Sequence, residues 1–197
     1  NGTTSVTGGV TFNLAAAANW DVTAAASADL TGNGVTVSNV AAPTLESATY
    51  DANTGTLIVT GTNLVKAIGS NNDITASKIS IRGEGNVTYV LTDTADVDIT
   101  SATSFTLILS AADKAGLNQY INKDGTLPTS ASSLYLVKGA DDWNTVITGG
   151  DTKDIVNNFI TVSNVQVPTI TSATYNSSTG NLVVTGTGFT PLNNGGT

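Results

Sequence analysis

Apolar and polar residues alternate in short runs along this chain, and turns rich in Asn and Gly separate the runs. Residues 44–50 (TLESATY) and 56–60 (TLIVT) alternate as half-buried strands do. The turn Asp51-Ala52-Asn53-Thr54-Gly55 joins them. The same period recurs at 78–82 (KISIR), 87–92, 104–109 (SFTLIL), 133–138 and 159–165. Runs at 11–14 and 35–40 lie upstream, and a hairpin of 169–175 with 182–185 lies downstream. At least seven strands at this spacing predict an all-β sandwich.

One segment breaks the period. Ser110-Ala111-Ala112-Asp113 reads as a capping box, with Ser110 accepting from the N3 amide and Asp113 reaching back. Leu117, Tyr120 and Ile121 then line one face, and Asp124-Gly125 ends the segment. A short inserted helix closing one end of the sandwich follows.

The chain also repeats itself. Residues 36–62 (TVSNVAAPTLESATYDANTGTLIVTGT) and 161–187 (TVSNVQVPTITSATYNSSTGNLVVTGT) are identical at 18 of 27 positions, at a constant offset of 125. Upstream the offset is 123: Gly2-Thr3 matches Gly125-Thr126, Phe12 matches Tyr135, and Trp20-Asp21 matches Trp143-Asn144. Two extra residues near 148–150 restore the offset of 125, so that Asp29-Leu30 match Asp154-Ile155. About one and a half copies of a unit of about 125 residues are present.

Proline after a strand marks a linker or an edge, which places unit boundaries just before Pro43 and Pro168. Residues 1–42 are then the C-terminal part of one repeat, 43–167 a complete repeat, and 168–197 the opening hairpin of the next. An alternative phase starts the unit near residue 1 and ends a complete domain near residue 122.

Composition supports strands and narrows the chemistry. Thr (34), Asn (20) and Gly (20) dominate, while only 11% of residues are charged. The net charge of -8, with seven scattered basic residues, argues against nucleic acid as a partner. No apolar run reaches the length of a membrane-spanning segment. The absence of His and Cys removes Ser-His-Asp and Cys-His nucleophiles and every His- or Cys-ligated metal site. No glycine-rich phosphate loop precedes a helix, and Gly83-Glu84-Gly85 reads as a turn. A non-enzymatic role is expected.

Pro43-Thr44, the TYDANTG turn and 57–64 (LIVTGTNL) resemble the start of bacterial Ig-like modules of the IPT/TIG class. Pro168-Thr169 and 184–189 (VTGTGF) repeat the resemblance, which covers about 25 residues of each copy. The usual pair of glycines before the second strand is replaced by Asn53-Thr54-Gly55 and Ser178-Thr179-Gly180. The unit and its helix are also larger than that family's norm. The resemblance implies an Ig-like tandem repeat of a cell-surface, extracellular protein: an adhesin, a surface layer or a fibre. Its partners would be neighbouring repeats or identical subunits, arranged head to tail.

Calcium is the one metal that the residues allow, since it takes carboxylate, carbonyl and amide oxygens from loops. Asp93, Asp96 and Asp98 place three carboxylates within six residues and are the first candidates. Asp141 and Asp142 with Asp151 and Asp154 form a second acidic group. Trp20 and Trp143 occupy one repeat position, where a core plug is expected. Exposed, they would offer a platform for a glycan, the alternative to a structural role being recognition of a glycan or a protein receptor.

Overall fold

The alternating runs fold as strands that find their partners over long sequence distances. The computed structural model describes residues 11–23, 28–66, 69, 72–130, 133–145 and 153–189. Among these lie β1 (Asn13–Ala16), β2 (Asp29–Gly34), β3 (Thr44–Asp51), β4 (Thr56–Thr62), β5 (Ile79–Arg82) and β6 (Thr88–Val90). Then come β7 (Ser104–Ile108), α1 (Ala111–Leu117), β8 (Leu136–Gly139), β9 (Asp154–Ser163), β10 (Thr169–Asn176) and β11 (Asn181–Thr187). The fold is mostly β. The Gly2-Thr3 match, the two extra residues near 148–150, and Asp151 lie outside the described residues.

β3 to β9 form one seven-stranded sheet in the order β6-β5-β8-β9-β3-β4-β7. Ile79 and Ile81 of β5 and Val137 of β8 share one buried cluster with Leu57 and Val59 of β4 and Phe105 and Leu107 of β7. Strands from both ends of the order therefore face one another, and the sheet curls around its core. Leu117 and Ile121 close that core from the α1 segment. Each large apolar side chain taken out of water contributes about 1.5–3 kcal/mol, set against the entropy of ordering it.

Two short sheets flank this body: β1 with β2, and β10 with β11. Their registers coincide with pairings inside the seven-stranded sheet. β10–β11 pairs Thr169 with Thr187, shifts register between Ile170 and Ser172, and ends on Asn176 opposite Asn181. β3–β4 pairs Thr44 with Thr62, shifts between Leu45 and Ser47, and ends on Asp51 opposite Thr56. Likewise β1–β2 pairs Asn13 with Gly34, Leu14 with Asn33 and Ala16 with Asp29. β8–β9 pairs Leu136 with Phe159, Val137 with Asn158 and Gly139 with Asp154. The offsets are those of the sequence, 123 on one strand and 125 on the other.

Several boundaries differ from the sequence expectation because pairing, not alternation, decides where a strand ends. Residues 35–40 lie outside β2, which stops at Gly34 opposite Asn13, the first residue of β1. The matching residues 160–163 are strand because β3 lies alongside them. The 87–92 run shortens to β6, and the 159–165 run begins early, at Asp154. It ends at Ser163 because Asn164 takes a left-handed φ of 57°.

The helix has seven residues, about two turns, and is shorter than its apolar spacing predicts. Half of the capping box forms: Ser110 accepts the Asp113 amide at 3.0 Å. The Ser110 amide donates to Thr94 Oγ1 instead of to Asp113, whose carboxylate has other partners.

Candidate functional site

The intact body is closed by its first and last strands, β3 and β9, which run parallel. Ser47 pairs with Phe159 and each following residue keeps step up to Asp51 with Ser163. Alternation buries Ala48 and Tyr50 on one strand and Ile160 and Val162 on the other, so the seam carries core side chains on its inner face.

Side chains lock both ends of this seam. At the lower end Asp154 is buried, and its Oδ2 accepts the Leu45 amide at 2.8 Å. Its Oδ1 accepts from Asn158 Nδ2 at 2.9 Å. Strand pairing leaves the Leu45 amide unserved at the bulge, and a carboxylate supplies the acceptor. At the upper end Asn164 Nδ2 donates to Asp51 Oδ2 at 2.8 Å, and the Val165 amide donates to Asp124 Oδ1 at 2.9 Å. Hydrogen bonds from Thr54 and Asn164 hold the Asp51 carboxyl below its ordinary pKa.

A second buried carboxylate, Asp113, organises the turn after β6. Its oxygens accept the amides of Thr92, Asp93 and Thr94, the hydroxyls of Thr92 and Thr94, and the hydroxyl of Tyr89. Burial pushes its pKa up, but the hydrogen bonds from Thr94, Thr92, Asp93 and Tyr89 outweigh it and leave the carboxyl at about 2. Glu84 does similar work on the surface, accepting from Asn122 Nδ2 and the Ser130 amide. Hydrogen bonds from Ser130 and Asn122 bring its pKa to about 2.

The candidate calcium ligands lie in this turn region. Asp93, Asp96 and Asp98 are all exposed. The Asp93 amide donates to Asp113, while Asp96 Oδ1 accepts the Ala76 amide at 2.8 Å. Among the described residues, no three or more His, Cys, Asp or Glu side chains come together as a metal-ligating group. Of the second acidic group, Asp154 closes the seam. Asp142 sits at a φ of 60°, and Asn19, at the same repeat position, has a φ of 62°.

Trp143 is fully buried, its ring 6.0 Å from that of Phe105. A Cβ on Gly139 would lie 2.6 Å from its Cδ1, so that site admits only glycine beside the indole. Trp20 occupies the same repeat position and is 64% exposed. The flank that carries Trp20 offers no partner equivalent to Phe105 among its described strands.

An open groove of about 610 Å³ lies where the body meets the linker to β10. Ile121, Val165, Pro168 and Phe189 supply its apolar walls, and Asn118 and Asn122 its polar ones.

Acidic loops stand out in the sequence, and the seam does not. A signal was present: Asp154 and Asn158 recur as Asp29 and Asn33 at the same spacing. Their partner, Leu45, lies 109 residues away and no local pattern announces it. Compared with known proteins, the chain matches no family model, no curated protein and no solved structure. Among the described residues, no helix is long and apolar enough to cross a membrane.

Proposed function

We propose that this chain is a non-enzymatic, load-bearing module of an extracellular bacterial surface protein, fibre or surface layer. Its units are Ig-like sandwiches of about 125 residues, with 43–167 a complete repeat between the end of one repeat (1–42) and the opening hairpin of another (168–197). Ig-like topology is supported by the strand order β6-β5-β8-β9-β3-β4-β7, in which the first and last strands of the unit, β3 and β9, are neighbours. An Ig sandwich whose first strand crosses to its last would have such an order.

The observation that carries the load-bearing reading is the parallel pairing of β3 with β9. The chain enters the unit at the lower end of β3 and leaves at the upper end of β9. Tension applied through neighbouring repeats therefore pulls the two strands in opposite directions along their length. All the seam hydrogen bonds are loaded together, rather than one at a time as when a hairpin is unzipped. The Asp154–Leu45 and Asn164–Asp51 bonds add resistance at the two ends where force enters. Non-enzymatic function is supported by carboxylates that serve as acceptors for backbone amides and by a sequence without His or Cys.

Single-molecule pulling tests this. Force applied through handles at residues 43 and 165 should release about 40 nm of chain in one step, from an extended length of about 3.5 Å per residue. That step should need several times the force required with handles at 43 and 153, which open the seam from one end. Forced unfolding reads the unfolding barrier along the pulling direction. Equal forces in the two geometries would refute a load-bearing seam.

A further inference from the structure

We infer that residues 164–168 form a stiff joint, clamped to the body by Asp51 and Asp124 and to the β10–β11 hairpin by Gly188, which holds successive repeats at one fixed angle. The inference rests on the structural-repeat reading above and adds how one unit is aimed at the next.

Tandem units move against one another unless something holds their connection. Here the body holds it first. On the β3 edge of β9 the Ser163 carbonyl accepts the Ala52 amide at 2.9 Å, and on the other edge Val162 exchanges two bonds of 2.8 Å with Gly125. Beyond the strand, Asn164 Nδ2 donates to Asp51 Oδ2 at 2.8 Å, and the Val165 amide donates to Asp124 Oδ1 at 2.9 Å. Asn164 turns the chain at a φ of 57°, a left-handed conformation that Asn tolerates and that its bond to Asp51 fixes. Val165 packs against the buried cluster of the body.

The hairpin holds the other end. Pro168 fixes its own φ and confines Val167 to extended backbone. Gly188, at a φ of 70°, lies so close that a Cβ there would stand 2.8 Å from the Val167 carbonyl oxygen and 3.3 Å from Pro168 Cα. That approach calls for glycine on two counts, its φ and its missing side chain. Phe189, the next residue, borders the same groove as Ile121 and Val165 of the body. Asn164, Val165, Val167 and Pro168 are thus each constrained, and a single residue, Gln166, spans the interval between the two clamps.

The connection that leads into the body is built alike. Asn39, at the repeat position of Asn164, has a φ of 59°. Asn63, at the position of Gly188, has a φ of 54°, and its Nδ2 donates at 3.3 Å to the carbonyl of Ala42, the counterpart of Val167. A side-chain bond in one joint and a close backbone approach in the other bring the same two segments of chain together. A joint held in this way passes tension from β9 of one unit to the first strand of the next without first straightening a slack linker.

The chain has no cysteine, so a pair of nitroxide labels can be placed without background. Thr106, exposed on β7, and Ser177, exposed at the tip of the β10–β11 hairpin, become T106C and S177C in the full chain. Double electron–electron resonance between the labels should give one narrow distance distribution. Asn164→Gly combined with Asp124→Ala keeps the left-handed φ accessible, removes both carboxylate bonds to the linker and leaves the Asp51 turn intact. That variant should broaden the distribution several-fold. Gly188→Ala acts from the hairpin side and should shift the peak, because its methyl group must displace the Val167 carbonyl. Melting curves check that the body of each variant stays folded. A broad distribution in the parent chain, or one that either variant leaves unchanged, overturns the stiff joint. The pulling experiment has both handles within one unit and reads force rather than angle, so the two readings fail separately.

Discussion

Asp154 and Leu45 stand 109 residues apart in sequence, and a 2.8 Å hydrogen bond from the Leu45 amide to the Asp154 carboxylate joins the last strand of the body to the first. The bond is buried and lies beside the register shift in β3, where strand pairing cannot serve the amide. Its removal leaves a buried donor without an acceptor.

Asp154→Ala should therefore destabilise the body by about 2–3 kcal/mol, read from urea unfolding. Asp29→Ala, at the same repeat position but bonded, among the described residues, only to Thr31 and Asn33 of its own strand, should change the same curve by less than about 0.5 kcal/mol. Equal effects would mean that the buried amide, not the repeat position, is irrelevant to the cost.

The two tryptophans make the same comparison through packing. Trp143→Ala removes the largest buried side chain and should cost about 3–5 kcal/mol. Trp20→Ala should cost less than about 0.5 kcal/mol in the isolated chain. Thermal or urea unfolding followed by far-UV circular dichroism measures both without relying on indole fluorescence.

Acid should loosen the segments on either side of β6. Asp113 and Glu84 both have folded pKa values of about 2, below the usual carboxylate range. Depressed values mean that their stabilisation is complete above the unfolded pKa of about 4 and drains as pH falls towards 2. Unfolding midpoints measured from pH 7 to pH 2 should fall most steeply between about 4 and 2. Asp113→Asn should lower stability at pH 7 by about 3 kcal/mol, since an amide nitrogen would face backbone donors, and should flatten the acid limb.

A calcium ion at Asp93, Asp96 and Asp98 would compete with the Ala76 amide for Asp96. Its signature is a lower melting midpoint when excess chelator is added to metal-loaded protein, because a ligand of the folded state stabilises by mass action. An unchanged curve rejects the ion.

Much of the local structure was legible in the sequence. The Asn- and Gly-rich turns formed as expected: Asp51 Oδ1 accepts the Asn53 and Thr54 amides, and Asn176 Oδ1 those of Ser178 and Thr179. Gly55 and Gly180 follow with φ of 78° and 73°, which favours glycine there. The Ser110 cap and the buried Leu117 and Ile121 were also legible, because capping and apolar spacing act within one or two turns of helix. The candidate site was not. Asp113 read as a helix cap, yet its carboxylate serves residues 92–94, some twenty positions upstream.

By itself the sequence determined which residues alternate, where the chain turns, and which stretches repeat at 123 and 125, since these depend on side-chain type and spacing alone. Only the tertiary structure decided that β9 lies parallel to β3, that Asp154 reaches Leu45, and that Trp143 is buried while Trp20 is exposed. Closely similar local sequence forms the same hairpin twice, with the same bulge and the same Thr–Thr hydroxyl contact at its open end. Burial requires a second surface, and that surface comes from residues distant in the chain. Leu57 is buried in one cluster with Phe105, Leu117 and Ile160, whereas Leu182, at the same hairpin position 125 residues later, is exposed among the described residues.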